Sequence, residues 1–258
     1  MKSYKLYLIA IVVAFAAYSL HGGSAHQMVT GASLESPSLS HPLGTDDLGI
    51  DILAQLVHGG GYSLGLGILS AGTATFIGGI IGIVSGYFGG KTDHFFMAAC
   101  DIIVGMPQMI LLILLGAFFG ARYLSMVLVI ALLSWPQTAR TIRARVLFLK
   151  DQNYIQYSRK IGTPFRVIVQ KHFYPPLKPL LSLTFIKIMS RSIVMEASLA
   201  YLGLGDPTSK SWGMMLNKAM SFSGIYFTPY WKWWIMAPLT ALIGLILSLM
   251  LMSKEIEV

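Results

Sequence analysis

The chain has 258 residues, of which 55% are apolar and only 12% charged, with a formal net charge of +8. So little charge cannot coat a soluble globule of this size, and the composition reads instead as a polytopic membrane protein. The positive residues lie between apolar runs without aromatic interleaving on a polar surface, which assigns them to membrane orientation rather than to nucleic acid. The single cysteine, Cys100, rules out an internal disulfide and argues against a cysteine-based metal site.

In chain order, residues 6–20 follow Lys2 and Lys5 and read as an uncleaved anchor, because no clean small-x-small cleavage site precedes His26. Apolar segments at 62–88, 95–119, 123–138, 180–203 and 233–253 follow, most of them near the roughly 20 residues that cross about 30 Å of hydrocarbon. The expected fold is all-α with six transmembrane helices. It divides into 1–61, an N-terminal transmembrane helix with an external segment, and 62–258, a five-helix transmembrane domain containing a basic loop at 140–178. Lys2, Lys5, Lys91, the cluster from Arg140 to Lys178 and Lys254 fall on one face of this arrangement, whereas Arg122, Lys210, Lys218 and Lys232 fall on the other. The positive-inside rule makes the first face cytoplasmic, and both termini with it.

Asp46, Asp47 and Asp51 precede the glycine-rich second segment, where a helix starting within 48–57 places Asp46 or Asp47 at its cap and Asp51 in its first turns. His21, His26, Met28 and His41 share that external side, but their spacing is loose and no carboxylate or thiol completes a defined metal set. Gly78, Gly82 and Gly86 form consecutive G-x-x-x-G pairs that let a neighbouring backbone approach closely, either within this chain or beside a moving partner. Pro107 and Pro136 lack a backbone donor and predict bends or boundaries. Asp101, about 9 Å along a helix from the polar Lys91 to His94 stretch, reaches headgroup water or another helix. Glu196 faces protein or water rather than lipid, since a carboxylate in hydrocarbon is costly.

The basic loop is the most informative stretch. Tyr154 to Ile161 is compatible with a short helix that Gly162, Thr163 and Pro164 stop, and a second short helix runs from Pro164 to Phe173 before Pro175 and Pro176 end it. Two short helices meeting at a glycine make a knob with Arg159, Lys160, Arg166 and Lys171 available to bind or orient it.

Here the sequence resembles the inner-membrane permeases of binding-protein-dependent ABC importers, in the C-type subunit of the dipeptide, oligopeptide and nickel group. Ile155 to Gly162 (IQYSRKIG) and Phe165 to Pro175 (FRVIVQKHFYP) align with that family's cytoplasmic loop, whose core is Glu-Ala-Ala, three residues, then Gly. Arg159, Gly162, His172 and Pro175 match; Gln156, Tyr157 and Ser158 depart, replacing the acidic residue and both alanines. His41 to Leu53 (HPLGTDDLGIDIL) is similar to the family's external segment, with Ile50 where arginine is usual. Asp101 to Pro107 (DIIVGMP), Glu196 to Gly205 (EASLAYLGLG), Ser211 to Leu216 (SWGMML) and Trp231 to Trp234 (WKWW) complete the series in the right order.

The resemblance implies a type I ABC importer permease fold in which this chain supplies half of the pore. Its partners are a second, B-type permease, two ATP-binding subunits, an extracytoplasmic solute-binding protein and membrane lipids. Coupling to an ATPase falls to Tyr154, Ile155, Gln156, Arg159, Lys160, Gly162 and Phe165. Gate or helix orientation falls to Asp101, Pro107 and Glu196, and contact with the external partner to Asp46, Asp47 and Asp51. No G-x-x-x-x-G-K-[ST] phosphate loop occurs, so ATP and Mg2+ are expected in the partner subunits, with no catalytic residue, cofactor or metal assigned to this chain. The expected cargo is a dipeptide or oligopeptide, with nickel or a metal chelate as the alternative. A non-transporting membrane scaffold whose knob recruits a cytosolic partner is the alternative of another class.

Overall fold

The computed structural model describes residues 28–120, 122–206 and 209–257, and helices carry the fold. The longest, α1 (Ile52–Phe88), begins ten residues before the apolar segment read from the sequence, because Asp51 is its N-cap and accepts a hydrogen bond from the Ala54 amide at 3.0 Å. At about 1.5 Å per residue its 37 residues extend about 55 Å, well beyond the hydrocarbon thickness.

Two shorter helices follow, α2 (Gly90–Gly105) and α3 (Gln108–Phe119), bent by 92° at Met106 and Pro107. Next comes α4 (Tyr123–Lys150), which runs unbroken through Pro136. A knob follows, made of α5 (Asn153–Lys160), α6 (Phe165–Ile168) and a π-helical turn at Val169–Phe173. That turn leads without a break into α7 (Tyr174–Tyr201). At the opposite end lie α8 (Trp212–Ser221) and α9 (Trp231–Trp234), and α10 (Met236–Glu257) completes the bundle.

The expectation of six transmembrane helices is corrected. Among the described residues two helical stretches, Ile52–Phe88 and Trp231–Ile256, are long and apolar enough to cross a membrane, or three if the bent α2 and α3 pair is one span. The helices α2 and α3 have 16 and 12 residues, each short of the roughly 20 needed, because Pro107 ends the first ladder and starts the second in a new direction. Length does not disqualify α4 and α7, with 28 residues each; polarity does. Gln137, Arg140, Arg143 and Arg145 interrupt α4, and Lys178, Lys187, Arg191 and Glu196 interrupt α7. The segment 6–20 lies outside the described residues, as do His21 and His26.

A second correction concerns Pro175 and Pro176, which do not end a helix. They occupy the first turn of α7, directly after a π-helical turn whose last bond runs from the Tyr174 amide to the Val169 carbonyl.

The glycine ladder packs within the chain. A Cβ on Gly78 would lie 2.5 Å from the Trp135 carbonyl oxygen, one on Gly82 2.7 Å from that of Ala139, and one on Gly86 2.9 Å from the Val146 Cβ. The neighbouring helices α1 and α4 therefore meet backbone to backbone, as small residues at every fourth position allow. On the other flank of α1, Gly67 meets Ile193 and Met189 of α7, and Gly79 meets Leu181. Large side chains such as Phe76, Leu114, Phe118, Leu128 and Leu247 remain exposed on the outside of the bundle, which suits contact with acyl chains rather than water.

Candidate functional site

The knob stands on its own small core. Ile155 and Ile168 are fully buried with Ile142, Val146, Phe173 and Leu177, so the ends of α4 and α7 grip the knob from two sides. Phe165 packs its ring 4.7 Å from that of Tyr87 and 5.2 Å from that of Phe88, at the end of α1. The Arg159 guanidinium sits 5.0 Å over the Tyr87 ring, a cation–π contact that directs it back onto the bundle.

The turn after α5 is a Schellman motif. The Thr163 amide donates to the Ser158 carbonyl at 3.0 Å, the Gly162 amide donates to that of Arg159 at 3.1 Å, and Gly162 has φ +79°. Only glycine takes that backbone conformation without penalty, so this residue follows from the turn itself. An added Cβ at Gly162 meets nothing within 4 Å.

Of the residues expected to couple, Ile155 and Phe165 thus form the knob's interior and mount. Tyr154, Gln156, Lys160 and Gly162 are exposed, the Gln156 amide donating to the Asp151 carbonyl. The reading from sequence passed over Tyr157, which is 66% exposed and shares a face with Tyr154 and Ile161, themselves 48% and 63% exposed. Their spacing of i, i+3 and i+7 on a short helix was the available signal. This face turns away from buried Ile155 and exposes two phenol rings, that of Tyr154 also 5.6 Å from the His172 ring, and a branched aliphatic chain, an arrangement suited to docking.

At the opposite end the three aspartates part company. The Asp46 side chain is buried, accepting from the Leu48 and Ile50 amides at 3.0 and 2.8 Å and from Gln55 Nε2 at 2.7 Å. Asp51 caps α1 through one oxygen and meets His41 Nδ1 at 2.9 Å through the other. Asp47 is exposed, and burial of part of its surface, followed by the charge of Asp46, holds its carboxyl above the ordinary carboxylate range. Beside it, burial and then the neighbouring Lys218 lower the Lys210 ammonium from its usual value.

Around this loop the later motifs close a bracket. Trp212 Nε1 donates to the Leu56 carbonyl at 2.7 Å, a Cβ on Gly59 would collide with the Lys210 carbonyl oxygen at 2.1 Å, and one on Gly213 would collide with that of Ala197 at 2.4 Å. Behind the bracket Glu196 is 3% exposed and accepts from the Ser63 hydroxyl at 3.3 Å. Asp101 is on the surface, ion-paired with Arg140, and Pro107 is the exposed N-cap of α3 at the bend. A bidentate pair of Arg143 with Asp93, at 2.5 Å for each contact, fastens α2 to α4. Asp101, Pro107 and Glu196 are not brought together by the fold.

Curated relatives match over most of this chain. A putative peptide permease protein of Brucella suis is 36% identical over 199 residues, which are 77% of this chain and 66% of the relative. A glutathione transport system permease protein of Pectobacterium atrosepticum is 36% identical over 188 residues, 72% of this chain and 62% of the relative. An oligopeptide transport system permease protein of Bacillus subtilis is 32% identical over 203 residues, 78% of this chain and 65% of the relative. The chain thus spans slightly less than two thirds of the length of these relatives. Residues 78–253, which contain the knob, the helices α4 and α7 and the bracket's Lys210, Trp212 and Gly213, match the family model for the inner membrane component of binding-protein-dependent transport systems, and the chain belongs to that family.

Proposed function

We propose that this chain is a permease subunit of an ATP-driven importer of dipeptides or oligopeptides. It forms half of the translocation pathway with a second permease, and its knob docks on one of two ATP-binding subunits that hold ATP and Mg2+. A solute-binding protein delivers cargo to the opposite end, where exposed Asp47 is available to it and Asp46 and Asp51 shape the loop. The knob faces the cytoplasm together with the end of α10 that carries Lys254, in keeping with the positive-inside rule.

The observation that carries this reading is the outward face of Tyr154, Tyr157 and Ile161 on a knob built into the ends of α4 and α7. Closure of a partner against that face moves both helices as one body, because the π-helical turn continues into α7 and only Asp151 and Gln152 separate α4 from α5. The names of the relatives speak for peptides and glutathione, so peptide precedes nickel or a metal chelate as cargo. A non-transporting scaffold has no need of a glycine-locked external loop and a cytoplasmic knob in one chain.

Purification of the chain from its native membrane tests this. The expected result is a complex with a second permease and two ATP-binding subunits that drives ATP-dependent peptide uptake in liposomes when the solute-binding protein is supplied. Isolation as a homo-oligomer without an ATPase contradicts it.

A further inference from the structure

Lys187 and Arg191 lie one turn apart on α7, at a level set by the neighbouring contacts of Gly67 with Ile193 and of Gly79 with Leu181 along the middle of α1. Charged side chains at that depth beside a membrane-spanning helix face a cavity or another protein rather than lipid. Here they line a cleft of about 370 Å³ between α4 and α7, together with Gln137, Thr138, Thr141 and Thr184. A second hollow of about 150 Å³ shares Gln137 and Arg191 and reaches Gln108 of α3.

Arg140 and Arg143 of α4 and Arg191 of α7 are held by different kinds of partner. Arg140 and Arg143 are ion-paired with Asp101 and Asp93. The hydrogen bond recorded for Arg191 is to a neutral acceptor, the Gln137 amide oxygen at 3.1 Å, which holds the guanidinium in the cleft without cancelling its charge.

We propose that this cleft is the chain's share of the solute pathway and that Arg191, with Lys187, receives a carboxylate of the passing solute. The inference rests on the importer reading and extends it to a site. An arginine fork matches a carboxylate in two hydrogen bonds, and a cleft walled by leucine and isoleucine as well as threonine strengthens that attraction while holding the solute loosely enough to leave. The concave shape and the in-chain anchoring of Arg191 favour a mobile guest over an acidic side chain of the second permease.

The test uses the whole transporter with Thr141→Cys as reporter and the unaltered chain, with its buried Cys100, as control. A sulfonate-bearing methanethiosulfonate should modify the reporter about tenfold faster than a trimethylammonium-bearing one, and Lys187→Gln with Arg191→Gln should abolish that preference. Arg191→Gln should also raise the KM for uptake of a tripeptide with a free carboxylate about tenfold, while the second permease stays in the complex. Failure of both reagents to reach the reporter overturns the proposal, as does unchanged charge preference or unchanged KM in the glutamine variants. Loss of the second permease from the Arg191→Gln complex also overturns it, by assigning the site to a partner carboxylate. If the unaltered transporter takes up no peptide, the cargo assignment falls, and the modification rates alone decide whether the cleft selects anions.

Discussion

The knob and the loop at 44–51, at the opposite end of the bundle, both turn on glycines with positive φ, yet the two regions are constrained in different ways. Gly162 has φ +79° and open space around it, whereas Gly44 and Gly49 have φ +73° and +74° with a backbone carbonyl oxygen 2.4 Å from where a Cβ would sit. The loop is locked by space as well as by backbone conformation, and its Asp46 and Asp51 carboxylates are engaged by the chain itself. The knob is locked from beneath and free above. On the proposed reading the knob leaves its contact side chains in water, whereas the loop spends Asp46 and Asp51 internally and leaves Asp47 exposed.

The largest effect that sharpens this contrast is expected from Gly49→Ala. The new Cβ would strike the Gly31 carbonyl oxygen in a left-handed backbone, for a loss of about 3 kcal/mol or more seen as a lower melting temperature in detergent. Next is Asp46→Ala, which strands the Leu48 and Ile50 amides and the Gln55 side-chain amide and should cost about 3 kcal/mol by the same measurement. If either variant melts like the unaltered chain, the loop is not locked as described.

Gly162→Ala should cost only about 1 kcal/mol, because conformation alone opposes it, and Gly162→Asn less. Gly162→Val should leave the complex partly assembled while uncoupling ATP hydrolysis from uptake, measured together in liposomes; unchanged values for both remove Gly162 from the coupling turn. A melting loss for Gly162→Ala as large as that for Gly49→Ala would erase the comparison.

Asp47→Asn should have the smallest effect. Its carboxyl is held above the ordinary range, so the protonated form is the one favoured by the fold. That contribution is complete below the ordinary carboxylate pKa and is lost as pH rises through the raised value, leaving a slight opposition to folding at neutral pH. Removing the charge should leave the melting temperature at neutral pH unchanged or slightly raised, and any marked fall contradicts the placement of Asp47.

Much of this was legible because it depends on local chemistry. The stop at Gly162, the close approach at Gly78, Gly82 and Gly86, and a helix start within 48–57 follow from residue type and spacing, although the cap is Asp51 and not the expected Asp46 or Asp47. What was not legible depends on partners distant in the chain. A bend or boundary was expected at both Pro107 and Pro136 and the break is found at Pro107, but that α4 continues through Pro136 was not legible, because it is decided by backbone continuity. The meeting of Arg191 with Gln137, 54 residues apart, is set by the packing of α4 against α7. Tyr157 was passed over because it replaces a small residue of the family's loop, and its outward direction is fixed only when Ile155 takes the inward one.

The most direct test of the knob as the docking surface is the affinity of the detergent-purified permease pair for its ATP-binding subunits with Tyr157→Ala and Ile161→Ala combined. Both side chains are more than half exposed, at 66% and 63%, so the melting temperature should not change. Affinity should fall at least about tenfold, equivalent to about 1.4 kcal/mol, and ATP-driven uptake should fall with it. Unaltered affinity and uptake in the doubly substituted protein would contradict the account.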